Sequence, residues 1–242
     1  MKKIFGTIVV FILVMNTMTA QDNYLDMRLG AGIPRSNFSE LEGDSVGYAG
    51  TGFMMSFEGN YFFLGTLGVV GSITYGMNFL DEVALQDHLK ARFRETFPDV
   101  TIPEDATTQW VSKQWNNVNV MTGPVLSFPF SSLKLELRGM AGVSFVMPPE
   151  WDLYMAWEDK QFHVTSSGQS ARFAWQLGAG LLYKSDLGYG FRLGFDYFRT
   201  STSFDVYYSY IQGNVDEVPY ETIDQYIPVT MFQATVGILY AF

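Results

Sequence analysis

Residues 188–198 read GYGFRLGFDYF, and this stretch decides the fold. One phase of its alternation holds only aromatic and aliphatic side chains, whereas the other holds glycines, Arg192, Asp196 and Phe198. Strict alternation indicates a β-strand whose two faces meet different environments. The second face of a half-buried strand in a water-soluble sheet is usually polar and solvated, but glycine with isolated charges suits a narrow, crowded interior. We therefore expect the apolar phase to face lipid and the other phase to line the lumen of a barrel.

Seven further segments alternate in the same way, at 25–33, 53–62, 67–79, 118–128, 133–145, 172–183 and 232–242. Each is about as long as a tilted strand must be to cross a bilayer. Eight strands is an even number and the smallest common size of an outer-membrane barrel. Pro124 is the misfit, because proline lacks the N–H that a ladder needs, and it predicts a bulge or a kink.

The connections between these segments alternate in length. Short turns are expected near 62–66, 129–133 and 184–188, and long loops at 34–47, 80–115, 147–170 and 200–228. The predicted fold is an all-β, closed, antiparallel, eight-stranded transmembrane β-barrel with long extracellular loops. An even number of strands places both chain termini on the periplasmic side.

The second long loop, DEVALQDHLKARFRETFP at 81–98, predicts a short amphipathic helix. Asp81 can cap its start and Pro98 can stop it. We expect this helix to close the mouth of the barrel, with partner binding as the alternative. Its apolar side chains recur every four residues, at Leu85, Leu89, Phe93 and Phe97.

The first residues indicate export. Lys2 and Lys3, an apolar run at 4–15 and small residues up to Ala20 are typical of a cleaved signal peptide over 1–20. The mature barrel domain is then 21–242, and an uncleaved anchor is the alternative. The net charge of −10 makes a nucleic-acid partner unfavourable. The chain has no cysteine, so an exported barrel would be held by its closed hydrogen-bond network rather than by disulfides.

The last segment, TVGILYAF at 235–242, carries a resemblance. Together with the eight alternating segments, it resembles the small outer-membrane barrels of the OmpA/OmpX type, with PorT-like barrels of similar size. The resemblance implies the outer membrane of a Gram-negative bacterium, contact with outer-membrane lipid and lipopolysaccharide, and recognition by the barrel-insertion machinery. The implied C-terminal insertion signal is Phe232, Val236, Ile238, Tyr240 and Phe242. A simple lipid-facing role for Phe242 is the alternative.

The inward phase of the predicted strands carries both signs of charge. Charges in a narrow lumen need partners, because isolated buried charge is very unfavourable. We expect a mutually satisfied network that plugs the lumen, with a gated ion path as the alternative. Its members are Asp26, Arg28, Glu58, Lys134, Glu136, Arg138, Arg172, Lys184, Arg192 and Asp196.

The loops offer little chemistry. They hold 19 Asp and Glu against 6 Lys and Arg, but no calcium-binding run of acids occurs among them. Two histidines, His88 and His163, lie in the loops, and Ser166, Ser167 and Glu158 lie near His163 in sequence without a diagnostic motif. We expect no catalytic residue, metal or cofactor. The edges of the last two loops are strand-like and predict hairpins above the membrane.

These features favour a non-enzymatic barrel with a structural or surface-interaction role, whose loops bind an extracellular protein. Two alternatives remain open. One is a transport or protein-secretion accessory barrel, acting with components of a secretion system. The other is a lipid-modifying outer-membrane enzyme that uses His163.

Overall fold

The computed structural model describes residues 23–41, 45–96, 98, 102–103, 106–212 and 218–242. The predicted signal peptide and Phe97 of the predicted helix lie outside these residues. The elements are β1 (Tyr24–Arg35), a 3-10 turn (Ser36–Phe38), β2 (Ala49–Leu64), β3 (Leu67–Leu80), α1 (Glu82–Thr96), β4 (Thr107–Ser112), β5 (Trp115–Phe130), β6 (Leu133–Met147), β7 (Trp151–Trp157), β8 (Lys160–Ser167), β9 (Ser170–Lys184), β10 (Tyr189–Gln212) and β11 (Val218–Ala241).

Eight of the strands form a closed antiparallel ring. The order is β1, β2, β3, β5, β6, β9, β10 and β11, and β11 pairs again with β1 from Tyr24–Ala241 to Arg35–Thr230. Each ring strand contains one of the eight alternating segments, so the predicted eight-stranded barrel is confirmed. Closure matters physically because it leaves no unpaired strand edge in the lower part of the sheet.

The two faces of the ring differ as the alternation predicts. On β10, Phe191, Leu193 and Phe195 are 62%, 57% and 53% exposed, whereas the intervening Arg192 is fully buried. The same contrast recurs on all eight strands, which gives the ring a continuous outer belt of exposed apolar side chains. Such a belt is the lipid-facing surface of a transmembrane barrel. Within the described ranges, no helix has the length and apolar character needed to cross a membrane.

The two ends of the ring are unequal. Tight turns join β2 to β3, β5 to β6 and β9 to β10 at one end, here called the short-turn end. Phe242 N donates to Asn23 O at 2.9 Å, so both ends of the described chain lie there too. All the longer connections lie at the opposite, long-loop end.

Pro124 interrupts one of the two ladders of β5. The β5–β3 ladder continues through Val69–Pro124, and the β5–β6 ladder lapses after Thr122–Ala141 and resumes at Val125–Arg138 without a change of register. The predicted bulge is therefore absent, and the alternative, a kink, stays a prediction. The physical reason is that the missing N–H interrupts the ladder on one side of the strand only, so no extra residue needs to be accommodated.

The same sheet continues beyond the long-loop end of the ring. The upper parts of β10 and β11 continue as a hairpin, β8 pairs with β10 over Asp205–Gln212, β7 pairs with β8, and β4 pairs with β7. We call this arrangement (β11, β10, β8, β7, β4) the extension sheet. The hairpins predicted for the last two loops are confirmed within it.

The helix α1 packs against the inner face of the extension sheet. Ala84 N donates to Asp81 Oδ1 at 3.1 Å, so Asp81 caps the helix as predicted. Leu85, Leu89 and Phe93 are 5%, 2% and 2% exposed. The Phe93 ring lies 4.4 Å from that of Phe162 on β8, which fastens the helix to the sheet.

Candidate functional site

Seven charged side chains meet in the middle of the ring, and we call them the lumen network. All seven lie on the inward phase of their strands, and none is more than 4% exposed. The phase places them inside, and ring closure brings together strands that are distant in sequence. The members are Asp26 and Arg28 of β1, Glu58 of β2, Glu136 and Arg138 of β6, and Arg192 and Asp196 of β10.

Arg138 has the most complete set of contacts. Its Nη2 lies 2.6 Å from both carboxylate oxygens of Asp196, and its Nε donates to Asp196 Oδ1 at 2.9 Å. Its Nη1 donates to Glu58 Oε2 at 2.5 Å. Arg138 therefore bridges acids on β2 and β10, two strands that are not neighbours in the ring, and such charge-assisted contacts are among the stronger hydrogen bonds in proteins.

Two further arginines complete the lumen network. Arg28 contacts Glu58 through Nη2 and lies 3.4 Å from Asp196 Oδ2 through Nη1. Arg192 Nη1 lies 2.5 Å from Asp26 Oδ2 and 3.1 Å from Glu58 Oε2. Glu58 thus accepts from three arginines at once, so its carboxylate is the centre of the cluster.

Neutral side chains that the sequence analysis missed satisfy part of the remaining hydrogen-bonding capacity. The Tyr24 hydroxyl donates to Glu136 Oε2 at 2.5 Å and accepts from Arg192 Nη1 at 3.1 Å. Ser56 accepts from Arg28 at 3.3 Å. Both residues lie on the inward phase, two positions from a charged residue of the network. Their phase was therefore the sequence signal that could have placed them in the lumen.

Glycines on β9 make room for the charges. A Cβ at Gly178 would lie 1.7 Å from Asp196 Oδ1, and one at Gly180 would lie 2.9 Å from Arg192 Nε. A side chain at either place would displace an ion pair. The combination of glycine with isolated charge is therefore a packing requirement of this lumen.

Three of the ten predicted lumen residues lie apart from the network's centre. Lys134 and Lys184 line a small cavity at the short-turn end, beside Tyr24 and Glu136. The prediction that Arg172 belongs to the lumen network is wrong. Its side chain is exposed, and its Nη2 donates to Ser203 Oγ at 2.9 Å. Arg172 stands near the long-loop end of β9, where its long side chain reaches water instead of the lumen.

An apolar layer lies above the network, toward the long-loop end. Phe38 packs edge-on against Trp115 at 5.2 Å, and Trp115 packs against Phe204 at 6.1 Å. Trp115 Nε1 donates to the Gly47 carbonyl at 2.8 Å, which satisfies its buried N–H. Leu85 and Leu89 of α1 border the same space. The ring is thus filled at two levels, by ion pairs in the middle and by apolar side chains below the helix.

His163 and Ser166, two residues considered for a catalytic role, lie on opposite faces of β8. His163 Nε2 lies 3.0 Å from Asp152 Oδ2 on the outer face of the extension sheet. Ser166 is buried on the opposite face of β8, where its hydroxyl donates to the Pro149 carbonyl at 2.9 Å. The alternation of the strand separates the two side chains, so Ser166 is not oriented as a nucleophile for His163. The described residues contain no group of three or more side chains suited to hold a metal ion.

The C-terminal residues lie on the lipid-facing wall. Val236, Ile238, Tyr240 and Phe242 are 56%, 60%, 49% and 65% exposed. Phe232 is stacked on Phe195 at 5.3 Å. These positions are compatible both with an insertion signal and with a purely lipid-facing role.

Comparison of the sequence with protein-family models and with curated proteins gave no match. Among solved structures, the chain is similar to Ail of Yersinia pestis, to Neisserial surface protein A and to a major outer membrane protein from Thermus thermophilus. In that order, the sequence identities are 12%, 11% and 10%, and the TM-scores are 0.42, 0.43 and 0.44. The alignments cover 92%, 93% and 91% of this chain, and 100%, 100% and 99% of the three matched chains. The likeness concerns the fold alone.

Proposed function

We propose that the protein is a sealed, non-enzymatic barrel of the Gram-negative outer membrane that displays the extension sheet outside the cell as a binding surface for a protein partner. The observation that carries the proposal is the double filling of the ring. A conducting or transporting barrel needs a continuous path, whereas here the lumen network and the apolar layer both occupy the interior. The short-turn end, with both termini, then faces the periplasm.

Conductance measurements test the seal. Purified protein in planar lipid bilayers should give no stable channels, and neither should a variant in which 82–96 is replaced by a short flexible linker. The second result is expected because the lumen network closes the ring independently of α1. Stable channels from the unaltered protein would refute the sealed barrel, and channels from the variant alone would assign the seal to the helix.

Proteolysis of intact cells tests the orientation. Added protease should cut within 80–114 or 200–227 and should spare the turns near Ser131 and Asp186. Cleavage at Asp186 in intact cells would invert the proposed topology.

The extension sheet supports the binding role through its shape and its edges. Its strand β4 pairs only with β7 in the described part of the chain, so the second edge of β4 carries backbone groups available to an added strand. Val111 on this edge strand is 67% exposed. The opposite edge, on β11, contains Pro219 and Pro228, residues that discourage strand pairing.

Cross-linking on intact cells tests this role. The unaltered chain should give a discrete adduct of higher mass, and a chain with 148–169 replaced by a tight turn should give none while it remains folded by heat-modifiable electrophoresis. The substitution Gln109→Pro on β4 should weaken the adduct, whereas Gln161→Pro within β8 is expected to disturb the sheet itself. The absence of any adduct, or adducts that persist without 148–169, would contradict the proposed surface.

A further inference from the structure

The lipid-facing wall of the ring carries two charges. Along the outward phase of the eight ring strands, as far as the structure describes them and up to the level where β1 ends, the charged residues are Arg35 on β1 and Arg199 on β10. All other outward positions there are apolar, glycine or neutral polar. An unpaired charge on this wall would be unfavourable in the hydrocarbon region, so the position of these two arginines is informative.

Both arginines lie at the same level. Each stands about ten residues beyond the first outward residue of its strand, which is ~33 Å along the strand and ~25 Å along the membrane normal at the usual tilt. The apolar band of outer-membrane barrels is about 25 Å tall and bordered by aromatic girdles. Tyr197 and Phe232, whose rings are 5.5 Å apart, lie next below the arginines on β10 and β11. The arginines therefore stand at the headgroup level on the long-loop side.

The two arginines are neighbours. Arg35 and Arg199 both pair directly with Thr230, from opposite sides of β11. Strands in a sheet are 4.7–4.9 Å apart, so their Cα atoms are about 10 Å apart and their long side chains can reach one anion. The Arg35 guanidinium lies 5.4 Å from the centroid of the Phe232 ring, which holds it against the wall. Neither arginine forms an ion pair with any described carboxylate.

We propose that Arg35 and Arg199 together bind a phosphate group in the headgroup of an outer-leaflet lipid. The guanidinium fork matches phosphate oxygens bidentately, and arginine is favoured for this role over lysine. Apart from Arg35 itself, the loop segments carry 19 acids against 5 bases, so an anion is disfavoured over most of the crown and favoured at this pair. The inference rests on the proposed membrane insertion, and it adds a specific lipid contact to the barrel.

The test uses the full mature chain reconstituted in neutral phospholipid vesicles and in detergent. Binding of phosphorylated lipid A is compared with binding of the same lipid after enzymatic removal of its phosphates, by native mass spectrometry and by the shift in thermal unfolding. The double variant R35Q/R199Q removes both charges and keeps side chains of similar reach. The matched control is Arg172→Gln, which removes an exposed arginine bound to Ser203 of the extension sheet.

The unaltered protein and R172Q should bind phosphorylated lipid A, and R35Q/R199Q should bind it at least about tenfold more weakly, one order of magnitude corresponding to 1.4 kcal/mol. Dephosphorylated lipid should not distinguish the variants. Equal binding by R35Q/R199Q, or equal binding of dephosphorylated lipid by the unaltered protein, overturns the inference. A full shift with inorganic phosphate alone would overturn the lipid as the source. Failure of the unaltered chain to insert into vesicles would instead refute the proposed function.

Discussion

Removing Arg138 should destabilise the barrel severely. The substitution Arg138→Ala deletes three contacts to Asp196, at 2.6, 2.6 and 2.9 Å, and one to Glu58 at 2.5 Å. Asp196 would keep only Arg28, at 3.4 Å, as a charged partner. The Arg138 side chain is fully buried, so water cannot easily replace it. Breaking a buried ion pair by removing one partner costs about 3–5 kcal/mol, and we expect a loss of that size in the free energy of unfolding.

Urea unfolding in detergent or lipid vesicles measures this loss. The variant Lys113→Ala is the control, because it breaks the exposed Lys113–Glu150 pair and should change stability by no more than about 0.5 kcal/mol. The double variant R138A/D196A should recover part of the loss, since it also removes the carboxylate left unpaired. A change below about 0.5 kcal/mol for R138A would refute the reasoning and show that water solvates the lumen charges.

Three further outcomes are expected. Gly178→Ala should destabilise the fold by about 1–3 kcal/mol in the same urea assay, because its Cβ would lie 1.7 Å from Asp196 Oδ1, and an unchanged midpoint would show that the lumen is loosely packed. Phe93→Ala should release α1 and make it sensitive to limited proteolysis while heat-modifiable electrophoresis still reports a folded ring; unchanged protection would contradict the proposed anchoring of the helix. Deletion of Phe242 removes a side chain worth roughly 1.5–3 kcal/mol when buried, and it should lower the yield of inserted protein in cells more than it lowers refolding in detergent, whereas equal losses would make Phe242 a simple lipid-facing residue.

The ring could be predicted from the sequence because alternation with period two fixes the face of each residue. Phe191 and Arg192 need only their positions in the chain to be assigned to lipid and lumen. The short turns and α1 followed from equally local signals, namely turn residues, the Asp81 cap and apolar spacing.

The contacts within the lumen could not be predicted in the same way. Whether Arg28 meets Asp196, 168 residues away in sequence, depends on the stagger with which the ring closes, and no local pattern encodes that stagger. Arg172 shows that the phase of a strand does not always predict where a side chain lies. Its phase is inward, but its height near the open end lets the side chain leave the lumen. The short strand β4 was not predicted, because its six residues show no clear alternation of apolar and polar side chains.

The pairing of β1 with β11 has a consequence for assembly. The residues joined by this seam, from Tyr24–Ala241 to Arg35–Thr230, stand near opposite ends of the chain. Contacts between such distant residues form late, because closing a long loop must precede them. A chain whose other strands have already paired therefore carries two open strand edges until β1 meets β11, and each edge can pair with a neighbouring molecule. Formation of the seam is the step that removes those two edges, so anything that shields them before the ring closes would govern how much barrel a cell obtains.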